Sequence, residues 1–352
     1  MHIRVALLVA VLAFATGAPG ARASYPGRAG AIVYDDANSS FDPLNNGATA
    51  YTESLSALSP GAAAQSVLRC QGSDVGFLNG PQYCPASAPG FSPGGTTLVV
   101  SGTEYQPDGT AGPDPSDCSY SDACPKGLIL ADANGSNPRL LPAGVLDAEH
   151  PAFLPDGKHV VFAGSMILHG VRDLYTVATD GSDLTQLTTN GADDPAPCPN
   201  GALLYTHRGD VYRRAAGGRR TVRLTSQGGA SFPDCAHDSR AIAFVRHATL
   251  YTATINGTHL RRLGTAGVVS GHPAYSPAGG AIAIATDRRC TSHCGGHFPQ
   301  CTNITVRIEV LDLAGRRRAA SVAGRNYCSS DGDLGGDVIE GIGWQPLSRV
   351  GR

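Results

Sequence analysis

The stretch Pro151-Ala-Phe-Leu-Pro-Asp-Gly157, followed at once by the apolar run Val160-Val-Phe162, decides the fold of this chain. It reads as strand, tight turn, strand, because proline presets φ at the turn and glycine accepts a positive one. The phrase returns as Pro89-Gly-Phe-Ser-Pro-Gly-Gly95, Pro195-Ala-Pro-Cys-Pro-Asn-Gly201 and Pro273-Ala-Tyr-Ser-Pro-Ala-Gly279, with a degenerate copy at Pro233-Asp-Cys-Ala-His-Asp-Ser239. Each copy leads into another short β-rich run, at Leu98-Val-Val100, Leu203-Leu-Tyr205, Ile242-Ala-Phe244 and Ile282-Ala-Ile284.

A second phrase follows at a regular distance. Asp173-Leu-Tyr-Thr-Val-Ala-Thr-Asp-Gly181 leads to Leu184-Thr-Gln-Leu187, and Thr249-Leu-Tyr-Thr-Ala-Thr-Ile-Asn-Gly257 leads to Leu260-Arg-Arg-Leu263. Alternating apolar residues ending in Asp-Gly or Asn-Gly predict a second hairpin with a type I′ turn. Four strands per unit follow. Taking the Pro of the Pro-Asp-Gly position as a ruler gives 93, 155, 199, 237 (where His stands in), 277 and 346, with intervals of 62, 44, 38, 40 and 69. Three intervals lie near the roughly 40 residues of a four-stranded propeller blade. The two long ones hold insertions near 102–125 and 286–305, read as disulfide-tied surface loops.

The last unit is split. Gly341-Ile-Gly-Trp-Gln-Pro346 resembles a first strand but lacks a second, which Gly30-Ala-Ile-Val-Tyr34 supplies from the other end of the chain. Leu55–Leu58 and Ser66–Leu68 are the expected outer strands. Joining the N-terminal strand to the C-terminal one closes a ring and removes exposed sheet edges. The fold class expected is all-β: a six-bladed β-propeller of four-stranded antiparallel blades, as a single domain over 24–352.

The 45 Gly and 24 Pro make up about a fifth of the 352 residues, which excludes a long-helix protein. A net charge of -2 leaves no basic excess for nucleic acid, so no nucleic-acid partner is expected. Residues 1–23 read as a signal peptide, with His2 and Arg4 ahead of an apolar run from Val5 to Phe14 and a small-x-small cleavage site at Ala21-Arg22-Ala23. No later run reaches the roughly 18 apolar residues of a membrane helix, so no transmembrane segment is expected in the mature chain. The expectation is a monomer that is secreted or held in the periplasm or cell envelope.

All ten cysteines, Cys70, Cys84, Cys118, Cys124, Cys198, Cys235, Cys290, Cys294, Cys301 and Cys328, follow the cleavage site, as in a disulfide framework. Local pairs are Cys70 with Cys84 and Cys118 with Cys124, while Cys198 and Cys235 occupy corresponding first strands of neighbouring units. Cys290-x3-Cys294-x2-His297-x3-Cys301 has the composition of a zinc site, but export and the downstream Cys328 favour two disulfides.

These repeats, Pro-x-aromatic-Ser-Pro-Asp-Gly, Ile-Ala-Phe, Leu-Tyr-x4-Asp-Gly and Leu-Thr, resemble those of TolB-type, WD-like β-propellers across the whole mature chain. The resemblance implies an exported protein that offers the ends of a funnel-shaped channel to a ligand or a protein partner. It specifies no activity, since propellers carry many. The TolB N-terminal domain has no expected counterpart, so its role in envelope assembly is not carried over.

Gly90-Phe-Ser-Pro-Gly94 matches Gly-x-Ser-x-Gly, but Ser92 sits in the repeated turn and not at the strand-to-helix elbow that motif requires. No catalytic residue, cofactor or metal is expected. Asp331-x-Asp333-x3-Asp337 reads as a solvated turn and not a calcium loop. The sequons at Asn134, Asn256 and Asn303 overlap predicted turns at the first two positions. The candidate ligand-binding residues stand just before the repeated proline: Glu149, His150, Asp193, Asp194, His272 and Glu340. If the phrase opens the innermost strand, as the resemblance implies, they ring one mouth of the channel. The expected role is a scaffold for a protein, envelope or glycan ligand. The alternative is a carbohydrate-active lyase or hydrolase with a metal or carboxylate site at that mouth.

Overall fold

The computed structural model describes residues 28–41, 49–59, 65–69, 82–105, 127–167, 170–218, 220–265, 268–269, 271–288, 305–325, 327–328, 334–335 and 342–347. Among these, strands form six blades and one small two-stranded sheet. Blade 1 is the split one: Ile342–Leu347 pairs with Arg28–Phe41, which continues into Thr49–Leu58 and Gln65–Arg69. The register sets Ile32 opposite Trp344 and Tyr34 opposite Ile342, so the two ends of the chain close the ring.

Blade 2 runs Gln82–Phe91, Thr97–Tyr105, Gly127–Asp132 and Arg139–Leu141. Blade 3 runs Leu146–Phe153, His159–Ser165, Asp173–Ala178 and Thr185–Gln186. Asp193–Pro197, Leu203–His207, Asp210–Arg214 and Thr221–Arg223 make blade 4. Ala230–Cys235, Ala241–Arg246, Thr249–Thr254 and Arg261–Arg262 make blade 5. In blade 6, Val268–Val269 and Ala274–Tyr275 both pair with Ala281–Arg288, followed by Thr305–Asp312 and Arg317–Arg325. The strands Thr97–Tyr105 and Gly127–Asp132 flank one predicted insertion and Ala281–Arg288 and Thr305–Asp312 the other; the insertions themselves lie outside the described residues.

In blades 3 and 5 the second strands are apolar and buried at nearly every step because both faces of the blade are covered. Successive side chains point to opposite faces. In blade 3, Val160 and Phe162 pack with Leu128 and Leu130 of blade 2, while Val161 and Ala163 pack with Leu203 and Tyr205 of blade 4. Blade 5 does the same, Ile242 and Phe244 turning to blade 4 and Ala243 and Val245 to blade 6. Clusters at the junctions of blade 6 with 1 and of 1 with 2 complete the ring of buried apolar contacts.

The turns differ in one respect from the sequence reading. In the Asp180-Gly181 hairpin the Gly181 N–H bonds to the Ala178 carbonyl at 2.9 Å, and within residues 178–182 only Gly181 is left-handed, at φ 90°. That is the three-residue loop with a left-handed glycine after it, and not the two-residue type I′ turn expected. Asp180 explains the choice: its carboxylate accepts the Ser182 N–H at 3.0 Å, a bond that holds the longer loop.

The phrase Asp-Leu-Tyr and the threonine that follows the fourth strand prove to be one clamp. In blade 4, Asp210 accepts the Thr225 hydroxyl at 2.8 Å and the Gly228 N–H at 3.2 Å, while Thr225 Oγ1 accepts the Val211 N–H at 2.9 Å. Blade 3 repeats it with Asp173, Thr188, Gly191 and Leu174. Thr225→Val would leave a buried N–H unpaired and strip one donor from a buried carboxylate. The expected loss is about 1–3 kcal/mol in urea denaturation, and a change within about 0.5 kcal/mol would remove the clamp from the account.

Candidate functional site

Each first strand must accommodate a proline, which cannot donate to the ladder and so favours a bulge. The registers of these strands shift between Glu149 and Ala152, between Asp193 and Ala196, and between Ser231 and Asp234. The residue before the proline in those blades is left-handed: His150 at φ 51°, Asp194 at 49° and Phe232 at 52°. Such backbone is uncommon outside glycine, and strain of this kind collects where a side chain must be aimed.

The bulges bring the residues before four consecutive prolines together. The His150 and His272 rings lie 4.9 Å apart between centroids, and Phe232 packs 4.1 Å from His272 and edge-on to His150 at 5.9 Å. His150 Nδ1 lies 2.9 Å from Asp193 Oδ1 and 3.1 Å from Asp194 Oδ1. Asp194 is buried, and its Oδ2 accepts the Thr206 hydroxyl at 2.9 Å and the Phe232 N–H at 3.1 Å. Arg172 ties the rim together, reaching Asp193 Oδ2 at 2.7 Å and Glu149 Oε2 at 2.8 Å. His150 and His272 also line a narrow space of about 90 Å³ among the prolines of the first strands, the throat of the channel.

A larger cavity of about 650 Å³ opens beside this cluster between blades 3 and 4, walled by Asp147, Glu149, Arg172, Asp193, His207 and Arg208. His207 Nδ1 bonds to the Gly191 carbonyl and Arg208 is left-handed at φ 48°. The strand-connecting loops thus contribute as much to the mouth as the first strands.

Electrostatics divide the cluster. Burial works against a charged His150, but the hydrogen bond to Asp193 and the charges of Asp194, Asp193 and Glu149 outweigh it and raise its pKa above the ordinary value. Asp193 is half-buried, which works against its charge, yet His150 and Arg172 hold its carboxyl well below the usual carboxylate range. Asp194 moves upward, through burial and the charge of Asp193. His272 is held well below the usual histidine range by burial and by the charge of His150. An imidazole whose protonated form the neighbouring carboxylates favour therefore faces one that burial holds back from protonation, a set that can offer both donors and acceptors to one ligand. His150, Asp194 and His272 also form a group whose ligating atoms all lie within 4.8 Å of one another.

Of the six candidates, Glu149, His150, Asp193, Asp194 and His272 come together; Glu340 lies outside the described residues. Cys198 and Cys235 form a disulfide across blades 4 and 5. The side chains of Cys84 and Cys328, and Cys70, Cys118, Cys124, Cys290, Cys294, Cys301, His297, Asn303, Asp331, Asp333 and Asp337 altogether, lie outside the described residues. Ser92 is a buried turn residue whose Oγ accepts the Thr97 N–H at 3.0 Å. Asn134 caps its own turn through the Ser136 N–H, and Asn256 accepts from Arg213. Arg172, Thr206, His207, Arg208 and Phe232 were not anticipated. Only knowing which loops meet at the mouth would single them out.

No protein-family model matches the chain, and no curated protein matches it. Solved structures do. TolB from Acinetobacter baumannii shares 16% identity, covering 90% of this chain and 67% of that one, with a TM-score of 0.55. The fold is that of the TolB-type propeller. A putative TolB from Agrobacterium tumefaciens shares 13% over 91% of this chain and 99% of that one, with a TM-score of 0.50. A chain of the nidogen/laminin complex shares 12% over 90% of this chain and 100% of its own, with a TM-score of 0.51. Identities this low carry the TolB-like architecture and leave activity to the site itself. Among the described residues no helix is long and apolar enough to cross a membrane.

Proposed function

We propose that this protein is exported and serves as a binding scaffold, taking a protein or envelope ligand at the channel mouth between blades 3 and 4. The observation that carries this reading is the cavity of about 650 Å³ whose walls carry Asp147, Glu149 and Asp193 together with Arg172, His207 and Arg208. A concave site with few, convergent polar groups suits a ligand that both donates and accepts hydrogen bonds. The signal-like residues 1–23, the ten cysteines and the disulfide between Cys198 and Cys235 support export. Intact mass of the exported protein is expected to place its first residue at Ser24.

For binding, wild type and Arg208→Ala are compared on peptide and glycan arrays and then by calorimetry with the best probe. Arg208→Ala is expected to weaken binding about tenfold or more. Lys158→Ala, in an exposed turn on a different loop, serves as the control. Binding that ignores Arg208 and Glu149→Gln would refute this location. The second reading, a carbohydrate-active lyase or hydrolase, is favoured by the His150–Asp194 contact, an acid–base pair at the mouth. Turnover of polyuronides or glycans that disappears in His150→Ala would establish it.

A further inference from the structure

We propose that His150, Asp194 and His272 hold one divalent transition-metal ion at the throat of the channel. Two imidazoles and a carboxylate are a donor set suited to zinc and its first-row neighbours and poorly suited to calcium or magnesium. The three residues come from blades 3, 4 and 6, and their ligating atoms lie within 4.8 Å of one another. A tetrahedral ion with bonds of about 2.0–2.1 Å separates its ligands by about 3.4 Å.

Three further features distinguish this cluster from polar residues that merely face channel water. His150 Nδ1 donates to Asp193 Oδ1 at 2.9 Å, so a metal ion that displaces the Nε2 proton would meet that nitrogen's lone pair, and Asp193 is itself fixed by Arg172 at 2.7 Å. This is the carboxylate–histidine arrangement that orients metal-binding imidazoles. Asp194 commits Oδ2 to Thr206 and the Phe232 N–H, which leaves Oδ1 facing His150, 3.1 Å from its Nδ1. Among the described residues, His272 meets its neighbours through ring contacts with Phe232 and His150, with no hydrogen bond from its nitrogens. A metal would satisfy that imidazole. Its remaining coordination positions would face the throat.

The inference needs the mouth geometry alone and stands whether or not the protein is exported or binds a ligand in the neighbouring cavity. The test uses the mature, oxidised protein freed of metal with a chelator, then titrated with Zn²⁺ by calorimetry and with Co²⁺ by visible absorption. One Zn²⁺ per chain is expected, with a Co²⁺ spectrum that has d–d bands and no thiolate charge-transfer band. His272→Ala and Asp194→Asn are each expected to weaken binding by about 100-fold or more, and Asp193→Asn by about 10- to 100-fold. His297→Ala, in the cysteine-rich segment, is expected to leave it unchanged. Circular dichroism and melting confirm that each variant is folded, and the cobalt spectrum of wild type tests the donor set without any variant. Failure of folded wild type to bind Zn²⁺ would overturn the proposal. So would a thiolate band, or stoichiometric binding that survives His150→Ala/His272→Ala. Metal binding without turnover would support this site while leaving the enzyme reading rejected.

Discussion

Replacing Cys198 and Cys235 together by alanine is expected to lower the stability of the fold by about 3–4 kcal/mol. The two lie 37 residues apart in sequence, and a cross-link of that span removes conformational freedom from the unfolded chain that the folded chain never had. It joins blade 4, at the residue just past Asp193–Pro197, to the last residue of Ala230–Cys235 in blade 5. Both residues are completely buried, in a cluster with Leu204, Val211, Ile242 and Phe244. Alanine is the right probe because it leaves no polar group there. The double serine variant is expected to lose about 1–3 kcal/mol more for each hydroxyl left without a partner. Urea denaturation of oxidised wild type against the double alanine variant measures the effect. A loss below about 1 kcal/mol would mean that the blades hold each other in place without the bond.

That pairing was legible because Cys198 and Cys235 lie one step apart in neighbouring copies of one repeated phrase, and successive strand residues turn to opposite faces, so the two can meet at the junction of blades 4 and 5. Ring closure was legible for a similar reason: Trp344 stands where other copies have Phe91, Phe153 and Tyr275, and the strand it lacks is found at Gly30–Tyr34. The mouth was readable in part. Glu149, His150, Asp193, Asp194 and His272 share the place before the repeated proline, so their convergence follows from the architecture. Phe232 shares that place too, but in the most degenerate copy, and an aromatic ring there gives no polar signal. Arg172 and Arg208 lie on strand-connecting loops, whose sequences do not repeat, and His207 ends the strand that leads into one. The left-handed backbone was not readable at all, because a residue before proline is ordinarily driven toward extended conformations. At His150, Asp194 and Phe232 the bulge required by the proline overrides that preference.

Gly95→Ala is expected to cost about 2–5 kcal/mol, and the source of that cost lies at the seam of the ring. Gly95 closes the first turn of blade 2 with φ at 68°, where an alanine costs about 1–2 kcal/mol from backbone strain alone. A Cβ there would also stand 1.7 Å from the carbonyl oxygen of Pro346. Pro346 belongs to Ile342–Leu347, the strand that closes blade 1, and the neighbouring Gln345 side chain donates to the Gly95 carbonyl at 2.9 Å. The substitution must therefore push the closing strand away from blade 2, adding an overpacking cost of about 1–3 kcal/mol. Gly217 supplies the control, since its φ is 60° and nothing lies within 4 Å of a Cβ built there. Gly217→Ala is expected to lose about 1–2 kcal/mol, the strain without the collision. Gly135→Ala should behave like Gly95→Ala, because its Cβ would meet the Val67 carbonyl of blade 1 across the same junction. Hydrogen exchange provides a second reading: the amides of Ile32 to Tyr34, which face Ile342 to Trp344, are expected to exchange faster in Gly95→Ala than in Gly217→Ala. Equal stability losses at Gly95 and Gly217, with equal protection of those amides, would show that the seam yields freely and that the two termini do not lock the propeller.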